Sequence, residues 1–148
     1  MFAAHPATDA DLPTILTMME VFNAIEAIAF DREAAAPRLR ELLGDARIGG
    51  LLLFTVDGAP AGYALVTWGW DLEFAGRDAF LTELYVVAAH RGRGIGRKGL
   101  AAAEAFAKAG GAHALHLLVR HDNAPARALY DSAGFRAQPR LVMTRPLA

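Results

Sequence analysis

The chain has 148 residues, 15 lysines and arginines against 16 aspartates and glutamates, no cysteine, and 54% hydrophobic residues. That apolar share suits a folded core rather than a disordered chain, and the length suits one domain, residues 1–148. A formal net charge of −1 gives no general pull on nucleic acid or an anionic membrane, and the missing cysteines exclude disulfides, thiolate metal sites and an acyl-cysteine intermediate.

The opening MFAAHPATDADLP lacks a basic stretch followed by a long apolar one, so no signal peptide is expected and a cytoplasmic location is. The most apolar stretches are too short to span a bilayer. In chain order, Phe2 to Pro6 reads as a strand. Thr8 and Asp9 suit the cap of a helix from Leu12, with Pro13 in its first turn and Ile15, Leu16, Met19, Phe22 and Ile25 at helical spacing. A second helix is expected over Arg32 to Leu43, broken near Pro37 and ended by Gly44.

The pattern then becomes extended. Leu51 to Val56 is a strand, Asp57-Gly58 a hairpin turn, and Ala61 to about Trp70 the returning strand. A further turn is expected at Gly76-Arg77-Asp78, then a strand from Ala79 to Val87. These three strands should form an antiparallel meander. After the loop Arg91 to Gly96 come an alanine-rich helix ending at Gly110-Gly111, a strand from Ala114 to Val119, a helix from Ala124 to Ser132, and a last strand around Arg140 to Thr144. The strand at 79–87, the helix and the strand at 114–119 make a βαβ unit, hence one parallel pair. The expected fold is a mixed α/β (α+β) sheet with helices on its faces.

The most informative stretch runs from Glu83 through His90 to Arg97, where a strand enters a glycine-rich turn that opens a helix. Glycines let successive N–H groups aim at one spot, and the helix start adds unpaired donors and a positive dipole end. With Arg91, Arg93 and Arg97 this is a phosphate or pyrophosphate cradle; without a ligand it is a tight basic surface turn. A P-loop fails, because Lys98 is followed by Gly99. A dinucleotide fingerprint matches by letters at Gly94, Gly96 and Gly99, with Asp122 downstream. The polar stretch His90 to Arg93 and the antiparallel strands before it speak against that reading.

Arg91-Gly92-Arg93-Gly94-Ile95-Gly96 resembles the Arg/Gln-x-x-Gly-x-Gly/Ala signature of the GNAT superfamily of acyl-CoA-dependent N-acetyltransferases. Leu117 to Phe135, with Asn123, Leu129-Tyr130 and Gly134-Phe135, is similar to that family's later motif. The resemblance implies a mostly antiparallel sheet whose parallel pair splays apart, helices on both faces, and acetyl-CoA as cosubstrate. It implies that Arg91, Gly92, Arg93, Gly94, Ile95, Gly96 and Arg97 hold the pyrophosphate. Val86 and Val87 would pair with the pantetheine arm through their backbone, an N–H near Val86 serving as oxyanion donor.

Asn123 would touch the same arm, although as a residue it is equally a helix cap. Tyr130 sits where the family commonly has its general acid, and a phenol is protonated at neutral pH. Glu83, a carboxylate in an apolar strand and costly to bury alone, is the candidate base; an open cleft or an arginine partner would also account for it. Direct transfer is favoured by the family pattern and by the missing cysteine.

The favoured acceptor is the primary amine of a small molecule. A protein N-terminus or lysine, and a non-catalytic acyl-CoA sensor, are the alternatives. Glu26, Asp31, Asp71, Glu73 and Asp78 lie in segments that could border the acceptor cleft and would suit a cationic amine. Trp68 and Trp70 should share a sheet face, with packing the simpler role. The histidines suggest no metal site, and His113 and His116 show no evident carboxylate partner. No nucleic acid or membrane partner is expected; a homodimer is allowed, since many relatives are dimers.

Overall fold

Two helices and a hairpin with a two-residue turn organise the first half of the chain. Strand β1, Phe2–Pro6, is followed by a 3-10 turn at Asp9–Asp11, where the Thr8 N–H donates to Asp11 Oδ2 at 2.8 Å, and by helix α1, Leu12–Ile25. Helix α2 spans Arg32–Gly44; Asp31 caps it, accepting from the Glu33 and Ala34 N–H groups. The break expected near Pro37 does not occur. Pro37 is exposed, so the one carbonyl deprived of an N–H partner can turn to water and the helix continues.

Strands β2, Gly49–Val56, and β3, Ala59–Asp71, form a hairpin around Asp57 and Gly58. Both turn residues have positive φ, 50° and 80°, the geometry of a type I′ turn that matches strand twist. Strand β4 is Gly76–Val86. The turn expected at Gly76–Asp78 lies earlier: a 3-10 turn at Leu72–Phe74 and left-handed Ala75 reverse the chain, and Gly76 already pairs with Asp71. Asp71 is what moves it, because its Oδ1 accepts from the Glu73 N–H at 2.9 Å and closes the reversal there.

Helix α3, Ile95–Ala109, leads to strand β5, Leu115–Leu117, shorter than expected and parallel to β4. The sheet order is β1-β2-β3-β4-β5, antiparallel except for the last pair. One face carries the core of α1 and α2, where Ile15, Leu16, Met19, Leu39 and Leu42 meet Leu51, Leu53, Tyr63 and Tyr85. The other takes α3. Trp68 stacks on Phe106 with ring centroids 5.4 Å apart and donates its indole N–H to the Ala46 carbonyl, which makes it a packing residue; Trp70 is exposed.

Close approach of α3 to the sheet explains Gly99. A Cβ there would lie 2.4 Å from the Phe54 ring, and Phe54 has no exposed surface to retreat into. The third glycine of the dinucleotide-like pattern is therefore a packing glycine in a mainly antiparallel sheet. Gly99→Val is expected to cost about 1–3 kcal/mol of stability, read as a lower urea midpoint with unchanged slope.

The structure, a computed structural model, describes residues 1–148 and divides into two units, Met1–Leu118 and Val119–Ala148. The elements above belong to the first. The second contains helix α4, Ala124–Ser132. The strand expected at Arg140–Thr144 is absent: no ladder forms there, and Leu141, Val142 and Met143 are exposed. An apolar run without a partner strand does not make a strand, because the backbone groups have nothing to pair with. No helix is long and apolar enough to cross a membrane.

Candidate active site

The parallel pairing is brief. Ala79, Phe80 and Leu81 pair with Leu115, His116 and Leu117, and β4 then continues to Val86 without β5. At the point of departure β4 carries a bulge: Val66 faces Leu81 and Leu65 faces Glu83, leaving Thr82 as the extra residue. The Thr82 hydroxyl donates to the Leu65 carbonyl at 3.1 Å.

Past the bulge the backbone groups of Val86 and Val87 point in opposite directions. The Val87 N–H donates to the Ala61 carbonyl at 2.8 Å, inside the ladder with β3. The Val86 carbonyl instead accepts from Arg91 Nε at 2.9 Å, outside that ladder. An extended residue presents its N–H and C=O on the same side, so the Val86 N–H also faces away from β3. Of the two valines expected beside a pantetheine arm, Val86 offers its donor outward and Val87 does not.

The cradle follows directly. After a 3-10 turn at Ala88–His90, Gly92 and Gly94 adopt φ of 76° and 75°, and Gly94 caps α3. The first helical bond runs from the Lys98 N–H to the Gly94 carbonyl. The N–H groups of Ile95, Gly96 and Arg97 thus precede the first intrahelical donor, at the positive end of the helix. Arg93 and Arg97 are exposed beside them. Arg91 is held more firmly than its sequence context suggests, by the Val86 carbonyl and with its guanidinium 5.5 Å from the Tyr85 ring centre. Three adjacent amides and three arginines fit a pyrophosphate, the anionic part of coenzyme A.

Glu83 is half-buried, and its partner is a tyrosine. The Tyr63 hydroxyl donates to Glu83 Oε1 at 2.7 Å. Burial pushes the Glu83 carboxyl above its ordinary 4.5, and the Tyr63 hydrogen bond offsets part of that rise. The Tyr63 phenol is itself pushed well up by burial and by the Glu83 charge, so it remains a donor. Sequence reasoning missed Tyr63. Its position in a strand was visible, but the register joining it to β4 was not.

A second pair overturns an expectation. His116 has a carboxylate partner, Nε2 lying 2.9 Å from Asp78 Oδ2. Asp78 is buried, so it does not stand on an acidic wall of the acceptor side. Asp31 and Asp71 are occupied as caps. Groups of three or more metal-ligating side chains do not occur.

In the second unit, Asn123 caps α4, its Oδ1 accepting from the Ala126 N–H at 3.2 Å, with a proline in the first turn. Tyr130 lies on the last turn with its ring edge-on to Phe135, centroids 5.8 Å apart. Gly134 at φ 96° ends the helix; its N–H donates to the Asp131 carbonyl and that of Phe135 to the Tyr130 carbonyl. The Gly-Phe of the motif thus forms a Schellman cap that sets the Tyr130 ring.

The Acetyltransferase (GNAT) family model matches residues 16–135. Curated proteins give no match. Among solved structures, a candidate acetyltransferase from Arthrobacter sp. FB24 superposes with a TM-score of 0.82 at 28% identity, over 98% of this chain and 96% of that one. An integron cassette protein from the mobile metagenome of Cole Harbour Salt Marsh gives 0.86 at 25%, over 98% and 90%. Aminoglycoside N-acetyltransferase AAC(6')-Iy in complex with CoA gives 0.86 at 15%, over 100% and 96%, a likeness of fold.

Proposed function

The chain belongs to the GNAT acetyltransferase family, and from that premise we propose that it moves the acetyl group of acetyl-CoA directly to the primary amine of a small molecule, with residues 1–148 acting as one catalytic domain. The observation that carries this reading is the continuity of the outward-facing Val86 backbone with the glycine–arginine cradle at the start of α3. A polar, amide-rich arm ending in a pyrophosphate needs both.

In this reading acetyl-CoA supplies a thioester carbonyl and a thiolate leaving group. The N–H groups of Ile95, Gly96 and Arg97, with Arg91 and Arg93, hold the pyrophosphate. The Val86 N–H receives the negative charge that develops on the carbonyl oxygen. Glu83, oriented by Tyr63, takes a proton from the attacking nitrogen. Tyr130 gives a proton to the departing sulfur, and Asn123 contacts the arm in addition to capping α4. The aminoglycoside N-acetyltransferase among the similar folds is a small-molecule enzyme by its name, which supports a small amine over a peptide acceptor.

Thermal shift tests the cosubstrate. Acetyl-CoA at 100 times its dissociation constant should add about 2.7 kcal/mol of stability and raise Tm, with no comparable effect of NAD. Stabilisation by NAD and none by any CoA would overturn the reading. Release of free CoA thiol in the presence of an amine panel then tests transfer.

A further inference from the structure

The Asp78–His116 pair is not used by the mechanism above, yet its surroundings are built for it. Asp78 has a side chain only 5% exposed; Oδ2 meets His116 Nε2, while buried Oδ1 finds no protein partner. A buried carboxylate in that condition is costly and calls for a reason. Room for it comes from Gly69, where a Cβ would lie 2.5 Å from Asp78 Oδ1. The imidazole packs against the rings of Phe74 and Phe80, at 4.7 and 5.1 Å, and its side chain keeps 22% exposure.

The register places this pair on the same side of the sheet as the candidate base. Opposite Gly69, Thr67, Leu65 and Tyr63, alternate residues of β3, stand Asp78, Phe80, Glu83 and Tyr85. Residues facing each other across a ladder share a face. His116 is the parallel partner of Phe80, so it joins them. That face is the one against which α1 and α2 pack, and it carries Glu83, the base of the proposed function.

Proton accounting gives the pair a task. An acceptor that arrives as an ammonium must lose two protons to become an amide: one so that its lone pair can attack, the second as the C–N bond forms. Tyr130 delivers one proton to sulfur and is reprotonated from solvent, so both nitrogen protons leave by their acceptors and one proton is released net. Glu83 accepts the second; the first needs a different acceptor.

We propose that His116, oriented by Asp78, removes the first proton from the acceptor ammonium and passes it to solvent. With Nε2–H donated to Asp78 Oδ2, the neutral ring keeps its lone pair on Nδ1, and that nitrogen forms the new N–H bond as the ammonium N–H breaks. Asp78 then stabilises the imidazolium. Asp78 is the charged group in contact with it; the elements beside it also carry Glu83 on β4, Asp71 and Glu73 at the turn that holds Phe74, and His113 before β5. Arg77 lies on the opposite face, over the Trp68 ring at 4.8 Å.

This inference rests on the proposed amine acetylation, and one experiment separates the two. CoA release is followed from pH 6.5 to 9.5 with spermidine, kanamycin A and a lysine-containing peptide, for the natural protein, His116→Gln and Asp78→Asn. Alkyl amines titrate near 10, so a variant lacking the first acceptor must wait for amine already deprotonated in solution. His116→Gln should lose about 10- to 100-fold in kcat/KM at pH 7 and recover most of it by pH 9.5. Its Tm shift with acetyl-CoA should be unchanged, and Asp78→Asn should move the profile the same way. An equal loss at both pH values, or an unchanged profile, overturns the role of His116 alone. A natural protein silent toward all three amines overturns the acetylation reading and this inference with it.

Discussion

Replacing Glu83 by glutamine is expected to lower kcat/KM at pH 7 by about 100-fold or more, the usual scale for a lost general base, and to remove the part of the acid limb of the pH–rate profile that belongs to Glu83. In the natural protein activity should rise with pH as Glu83 ionises. Because burial raises that carboxyl above 4.5, the limb should lie above the ordinary glutamate range. Stability should respond with the opposite sign. A carboxyl raised in the folded state contributes fully below its unfolded value, and the contribution is lost as pH rises through the folded one. Glu83→Gln keeps an oxygen for the Tyr63 hydroxyl and removes the buried charge. Its Tm should therefore equal or exceed that of the natural protein at pH 7 to 8, with the difference shrinking toward pH 4. A variant that loses activity together with Tm at neutral pH would point to a packing role instead.

Tyr130→Phe is expected to reduce kcat by about 100-fold while leaving acetyl-CoA affinity unchanged. The substitution keeps the ring that meets Phe135 edge-on and deletes only the hydroxyl. Loss should be largest where the leaving thiolate most needs a proton and smaller for a thioester with a more acidic thiol. Steady-state rates with such an analogue, beside a direct binding titration, check both points. Unchanged turnover would remove Tyr130 from the chemistry.

These two residues differ in how far the sequence could carry them. Tyr130 is set by neighbours: Asn123 and Pro125 start α4 and Gly134 ends it, so its place on the last helical turn follows from a short stretch of chain. Glu83 could be placed on a strand, but its partner Tyr63 is 20 residues away. That meeting depends on a register with an extra residue at Thr82, which no alternation pattern specifies. The same limit hid Asp78 from His116, 38 positions apart, and moved the β3–β4 turn from Gly76 to the Asp71-capped reversal. The strand expected at Arg140–Thr144 also failed to form, since an apolar run, Leu141-Val142-Met143, was present and a ladder was not.

The hairpin glycine, the helix caps and the glycine–arginine loop determined the fold class and marked the loop as a candidate phosphate cradle, within the bounds set by length, near-neutral charge and the lack of cysteine. The hairpin, the caps and the loop each depend on residues within a few positions of one another, where backbone conformational preference and capping act. Tertiary structure decided which N–H of Val86 and Val87 faces outward, which side chains Glu83 and His116 meet, and where β4 leaves β5. Those outcomes follow from hydrogen-bond register between distant strands, and one bulged residue changes which side chains can meet.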